Sequence, residues 1–220
     1  MRLLLINANT TQAITDRCAA AARRAASAGT EIVGVTATRG PAIIGTRAQN
    51  EEARASVLEL LAAHGASCDA ALIAVSFDTA LDEARKAASI PVLGMTEAAL
   101  HTAAMLGGRI GFIGPGLHTR ALYEDTIART GLAGRIAGYR ALDMQAQDFS
   151  DPSAMVAPTV RLAKELVEQD GAESVVVAGA ALAGLTDQVQ AGVPVPVVDG
   201  IAAGTALAET LVRGRRAIAP

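Results

Sequence analysis

The second half of this chain repeats the first. "RLLLINANTTQAITD" from residue 2 is echoed by "RIGFIGPGLHTRALYED" from 109. "DAALIAVSFDTALDEA" from 69 is echoed by "AESVVVAGAALAGLTDQV" from 172, and "IPVLGMTEAAL" from 90 by "VPVVDGIAAGTAL" from 195. The three offsets are about 103 to 107 residues, and their order is kept. One chance match between apolar strands would mean little; three in register imply an internal duplication. The period is far longer than the roughly 20 to 50 residues of a solenoid repeat. The chain is therefore expected to form two similar lobes related by a pseudo-twofold axis.

The pattern within the first half predicts their class. Strand-like runs at 2–8, 30–37, 69–75 and 90–95 alternate with helical stretches reaching about residue 28 and covering 49–65, 80–88 and 97–106. Such βα alternation predicts α/β lobes, each a parallel four-stranded type of sheet flanked by helices. The expected N-terminal lobe is 1–100 with 205–220, and the C-terminal lobe 101–204. In parallel α/β sheets ligands bind beyond the carboxyl ends of the strands. Two facing lobes then set the loop after 69–75 against the loop after 174–179 across one active cleft, where a planar carbon acid can be approached from both faces.

Composition narrows the function classes. Of 220 residues, 51% are hydrophobic and 19% charged, which supports a core without disulfides or metal. A net charge of −3 and no basic patch interleaved with aromatics argue against nucleic acid or an anionic membrane as partner. No run of about 18 apolar residues predicts a transmembrane helix, and the apolar run at the start is too short for a signal-peptide core. A cytoplasmic location is expected. Two cysteines, Cys18 and Cys68, make neither a disulfide framework nor a zinc site. No P-loop and no GxGxxG after a strand is present, so no nucleotide cofactor, and no other cofactor or metal, is expected.

The segment "INANTT" (6–11) resembles the "INPNTT"-type opening of the aspartate/glutamate/hydantoin racemase superfamily, with Ala8 in place of proline. "RGPAII" (39–44), "IPVLGMTEAAL" (90–100), "VPVVDG" (195–200) and, less specifically, "GLAGRIAGYRAL" (131–142) fit its hydantoin racemase branch. The resemblance covers nearly the whole chain. It implies a cofactor-independent isomerase acting on a small carbonyl-containing carbon acid (a hydantoin, an amino acid or a related dicarboxylate), and a homo-oligomer. Members of that family move the α-proton between two cysteines, one per lobe. A thiolate is a usable base near neutral pH once its pKa is tuned. The family patterns "IACFGDPGLDAAR" and "LGCAGMAGL" place those cysteines at Val75 and Gly179 here, and neither residue can move a proton. Cys68 starts a strand about 23 Å long at roughly 3.3 Å per residue, so it is expected at the wrong end of the sheet. Cys18 lies about two turns into the first helix. Both read as small buried apolar residues. Val and Gly are odd choices for a deliberate inactivation, and the departures reach Ser76, Phe77 and Thr79; natural divergence is the better reading.

The remaining candidates each have a structural and a functional reading. Asn7 and Asn9 either shape a turn and helix cap or bind a carboxylate or cyclic amide, and the resemblance favours the ligand. Asp78 is a general base if partly buried, or a helix N-cap before "TALDEAR". Ser76 is a donor or a nucleophile, with no adjacent His or Lys to activate it. Thr79 can donate to an anion at a helix start. Thr96 and Glu97 open the next helix, Glu97 either as a first-turn acid or as support for the cleft. Gly179 and Ala180 either allow close packing or leave room for a bulkier ligand. "GPG" (114–116) mirrors "NAN" and can offer backbone N–H groups to an anion. His64, His101 and His118 read as structural or solvent-exposed. The functional expectation is a racemase-like enzyme with a non-cysteine mechanism. The alternatives are a lyase or decarboxylase using a single base, a binder that kept the cleft and lost the chemistry, and an ordinary family racemase whose cysteines stand in a different register.

Overall fold

A computed structural model describes residues 1–144, 148 and 151–218. Among these residues eight strands form two four-stranded, wholly parallel sheets. The first joins β1 (Arg2–Asn7), β2 (Glu31–Thr36), β3 (Ala70–Ile73) and β4 (Val92–Gly94) in the order β2-β1-β3-β4. The second joins β5 (Ile110–Gly114), β6 (Ile136–Ala141), β7 (Ser174–Val177) and β8 (Val197–Asp199) in the order β6-β5-β7-β8. The two orders are identical after a shift of four strands, as the duplication predicts.

Individual hydrogen bonds repeat as well. Ala74 N donates to Ile6 O in the first lobe and Ala178 N to Ile113 O in the second, both at 2.8 Å. Ala37 N to Asn7 O has its counterpart in Leu142 N to Gly114 O, and Ala71 N to Pro91 O in Val175 N to Pro196 O. The central strands β1, β3, β5 and β7 are buried almost throughout, which is why they read as continuous Val/Ile/Leu/Ala runs rather than alternating ones.

The helices are α1 (Gln12–Ala25), α2 (Arg47–His64), α3 (Leu81–Ala87), α4 (Met95–Leu106), α5 (Arg120–Arg129), α6 (Val156–Asp170), α7 (Thr186–Gln190) and α8 (Gly200–Ile218). Local chemistry explains several ends. Thr46 and Gln49 form a reciprocal capping box at the start of α2. Gly171, at φ +67, closes α6 in the left-handed conformation that glycine adopts at no steric cost.

Two helices cross between the lobes. α4 follows the first sheet, yet its Ala98, Ala99, Leu100 and Ala103 pack with Phe112, Val176 and Val198 of the second. α8 follows the second sheet, and its Ile201, Ala208 and Val212 pack with Leu3, Leu5 and Leu72 of the first. The crossings begin at Met95 and Gly200, where the backbones touch: a Cβ on Gly200 would lie 2.5 Å from the Met95 carbonyl oxygen. The lobes therefore share helices as well as an interface.

Candidate functional site

A cavity of about 280 Å³ opens between the lobes at the carboxyl ends of β1, β3, β5 and β7. Val75 lines it just beyond β3, and Gly179 just beyond β7. Ser76, Ala180 and Asn9 line it too. These five are the sequence-nominated residues that the fold brings together. Apolar walls come from Ile14, Ile43, Ile44, Pro115 and Met144.

The two facing loops are each held by the other lobe. Ala180 N donates to Ser76 Oγ across the interface at 3.0 Å. The β3 loop is fixed by α5, where Thr126 Oγ1 and Arg129 Nη2 donate to Phe77 O. The β7 loop is fixed by α1, where Arg17 donates to Ala181 O and the Cys18 thiol to Ala180 O. α1 and α5 follow the equivalent strands β1 and β5, so the pseudo-twofold extends to how the cleft is braced.

Other nominated residues point elsewhere. Asp78 has φ +50 and Ala80 φ +55, so the chain doubles back after Phe77 and carries the Asp78 carboxylate behind the loop. There it accepts from Thr96 N at 3.0 Å and Glu97 N at 2.8 Å, capping α4 across a gap in sequence. The carboxylate takes the space a side chain at Gly94 would need: a Cβ there would fall 2.3 Å from Asp78 Cγ. Burial pushes the Asp78 pKa up to about 7, against the pull of those two backbone donors. The cap it forms is for α4 and not for "TALDEAR", because the left-handed turn aims it away from its own helix.

Thr79 Oγ1 donates to Asn50 Oδ1, Thr96 Oγ1 donates to Ser76 O, and Glu97 pairs with Arg85. Asp78, Thr79 and Glu97 line a separate polar depression with Arg54, Arg85 and Arg129. Asn7 is fully buried. Its Nδ2 donates to Asn9 Oδ1, Thr11 O and Thr15 Oγ1, so it shapes the β1 turn from behind. Asn9 spends its Oδ1 on Asn7 and Thr11 N; its Nδ2 has no partner among the described residues and belongs to a side chain lining the cavity. The second lobe solves the Asp78 problem from the opposite end. Asp199, at the start of α8, accepts from Ile201 N and Ala202 N and reaches back to Gly184 N of the β7 loop.

Neither cysteine lines the cavity among the described residues. Cys18 lies behind Ala180, and burial raises its thiol to about 12, where it is an inert donor. Cys68 sits just before β3, at the opposite end of that strand from Val75, in the apolar core with Leu61 and Val92.

The structure adds residues that the sequence pattern does not single out. Tyr123 of α5 is completely buried, lines the cavity, and its hydroxyl has no hydrogen-bond partner in good geometry among the described residues; Ser76 is a polar neighbour. Burial raises its pKa, so the phenol stays protonated. It packs against Phe77 and Phe112 at centroid distances of 4.8 and 5.1 Å. Gln49, Thr119 and His118 also face the cavity. His118, expected to be structural or solvent-exposed, is exposed, and it lines the cavity mouth. The signal available was the repeat itself, which aligns "GPGLHT" with the "NANTT" loop.

Among the described residues no Asp, Glu, Lys, Arg or Cys lines this cavity, and no cluster of His, Cys, Asp and Glu could hold a metal ion. The arrangement offers neutral donors, apolar walls and one imidazole. It can orient an uncharged, carbonyl-bearing molecule and hydrogen-bond its oxygen.

Comparison with known proteins agrees with this architecture. The Asp/Glu/Hydantoin racemase family model matches residues 3–208. The chain is similar to the hydantoin racemase of Pseudomonas sp. (strain NS671), at 32% identity over 96% of this chain and 86% of the relative. It is similar to that of Paenarthrobacter aurescens, at 30% identity over 96% and 91%. Its fold matches the crystal structure of allantoin racemase from Pseudomonas fluorescens with a TM-score of 0.92 and 34% identity, covering 97% of this chain and 91% of that one. The chain therefore belongs to the Asp/Glu/hydantoin racemase family.

Proposed function

We propose that this protein acts on a small, uncharged cyclic ureide of the hydantoin or allantoin type, loosening the hydrogen next to its carbonyl without a cysteine pair. The observation that carries the reading is the makeup of the cavity wall. Val75 and Gly179, the positions that the family resemblance gives to the two thiols, both line it, and no cysteine does. This makeup supports a chemistry other than exchange between two opposed thiols.

The absence of a lining Arg or Lys among the described residues favours a neutral ring over an amino acid or a dicarboxylate, since a buried carboxylate without a cation or several donors is costly. The Asn9 amide and the Tyr123 phenol suit ring carbonyl oxygens. A phenol that stays protonated is a hydrogen-bond donor to the oxygen on which charge develops when the α-hydrogen leaves. Ile43, Ile44 and Met144 would take an apolar ring substituent.

The backbone supports divergence beyond two side chains. Gly179 has φ +120 and ψ 112, a conformation that only glycine adopts readily. A cysteine there would strain the loop, which supports a chemistry that places no thiol at this position.

Solvent exchange tests the reading. In D₂O, 5-substituted hydantoins and allantoin should gain deuterium at the ring carbon faster with the protein than without it, while aspartate and glutamate should not. Exchange of the amino acids in preference to the ureides would overturn the substrate class. Ureide binding without any exchange would leave a binding protein in place of an enzyme.

A further inference from the structure

We propose that the His118 imidazole is the base that removes and returns the proton in this cleft, from one face only. The inference rests on the enzymatic reading above and adds the group that the missing thiols leave undefined. Histidine is the ordinary choice for proton transfer near neutral pH, and His118 is the sole described lining residue with a basic lone pair in its neutral form. The competing groups are accounted for. Asp78 is turned behind the loop onto α4, Cys18 is sealed behind Ala180, and Ser76 Oγ receives Ala180 N.

Placement supports the role. His118 sits in the single-turn helix Leu117–Thr119 that follows the GPG loop. Its ring folds over Gly116 so closely that a Cβ there would lie 2.7 and 2.8 Å from two ring atoms. Glycine at 116 is thus what admits the imidazole at the cavity mouth. The Thr119 hydroxyl, donating to Gly116 O at 2.7 Å, holds the turn. Across the gap, Nε2 faces the Gly45 backbone of the other lobe, 3.6 Å from where its Cβ would stand. Neither ring nitrogen has a hydrogen-bond partner among the described residues, and the side chain is open to solvent on its outer side. Arg120, next in the chain but one, is drawn away to Glu124 and lies over the Tyr139 ring.

The step balances without a co-reactant. The imidazole lone pair takes the ring α-proton. The C–H electron pair becomes the C=C bond of an enolate, and the carbonyl π pair moves to oxygen, where Tyr123 donates a hydrogen bond. The imidazolium exchanges its proton with water and returns one to the same face. The signature is exchange with retention that outpaces inversion, and a preference for the enantiomer whose hydrogen faces lobe two.

The experiment follows the ring α-hydrogen of each enantiomer of 5-isopropylhydantoin in D₂O by NMR, with optical rotation in parallel. His118→Ala should slow exchange by about 10²-fold or more, with hydantoin-induced thermal stabilisation kept, and added imidazole should restore part of the rate. Exchange in His118→Ala within about threefold of the unaltered protein would overturn the assignment while leaving the enzymatic reading intact. So would inversion as fast as exchange in the unaltered protein. No exchange in the unaltered protein would remove the enzymatic reading itself, and the base with it.

Discussion

Asp78 shows how one residue can be legible as chemistry and be used as structure. A carboxylate just past a central strand is where a base is expected, and burial moves its pKa to about 7, into a catalytic range. Its two backbone partners and the left-handed turn make it the brace of α4. Asp78→Ala should cost about 1–3 kcal/mol in urea unfolding, the usual range for a lost cap or unsatisfied buried donors. The pH dependence has a definite sign. The folded state holds the proton up to about pH 7, whereas the unfolded chain releases it near the ordinary 3.8. The stability this group contributes is complete below about pH 4 and is lost as pH rises through about 7. The difference in unfolding free energy between the unaltered protein and Asp78→Asn should shrink from about pH 4.5 to about 7.5; a difference that grows would mean the carboxylate is ionised in the fold. At the cleft, Val75→Cys should fold with little penalty, while Gly179→Cys should lose about 1–3 kcal/mol to backbone strain at φ +120, measured by the same unfolding curves.

At the scale of elements, the strands and helices of the first lobe are readable because each buried strand is a dense apolar run and because α2 and α4 each end at a glycine, Gly65 and Gly107. The strand at 2–8 appears as Arg2–Asn7, the helix at 49–65 as Arg47–His64, and the helix at 97–106 as Met95–Leu106. What the pattern does not show is that β4 passes into α4 with no intervening loop, so Thr96 and Glu97 begin a crossing helix and offer their backbone N–H groups to Asp78 in place of a ligand. Periodicity reports which face of a helix is apolar, not which sheet that face will meet. The crossing depends on close backbone approach at Gly200. Gly200→Ala should destabilise the protein by about 1–3 kcal/mol, because the methyl meets the Met95 carbonyl and not a movable side chain. A midpoint in urea unchanged from the unaltered protein would show that the crossover tolerates a wider backbone separation.

For the whole molecule, the exchange of α4 and α8 makes each lobe part of the other's core. Far-UV circular dichroism and tyrosine fluorescence should therefore report one coincident unfolding transition. Two separated transitions would mean that the lobes are independent units. The cleft wall is braced across the same interface: α5 grips the first lobe's loop, α1 grips the second's, and Ser76 receives Ala180 across the gap.

The amino-acid sequence by itself determined the duplication, the parallel α/β class, the family and the identities of Val75 and Gly179, because these are properties of pattern and residue type along the chain. Only the tertiary structure decided which polar groups face the cavity. Asn9 and Asn7 are two residues apart and read alike, yet one lines the cavity and the other is consumed by Thr15. Tyr123 and His118 look ordinary in sequence and reach the cleft because helix α5 and the turn before it pack against the opposite lobe. Side-chain direction depends on backbone turns such as the one at Asp78 and on contacts between residues a hundred positions apart, and neither is written in local composition.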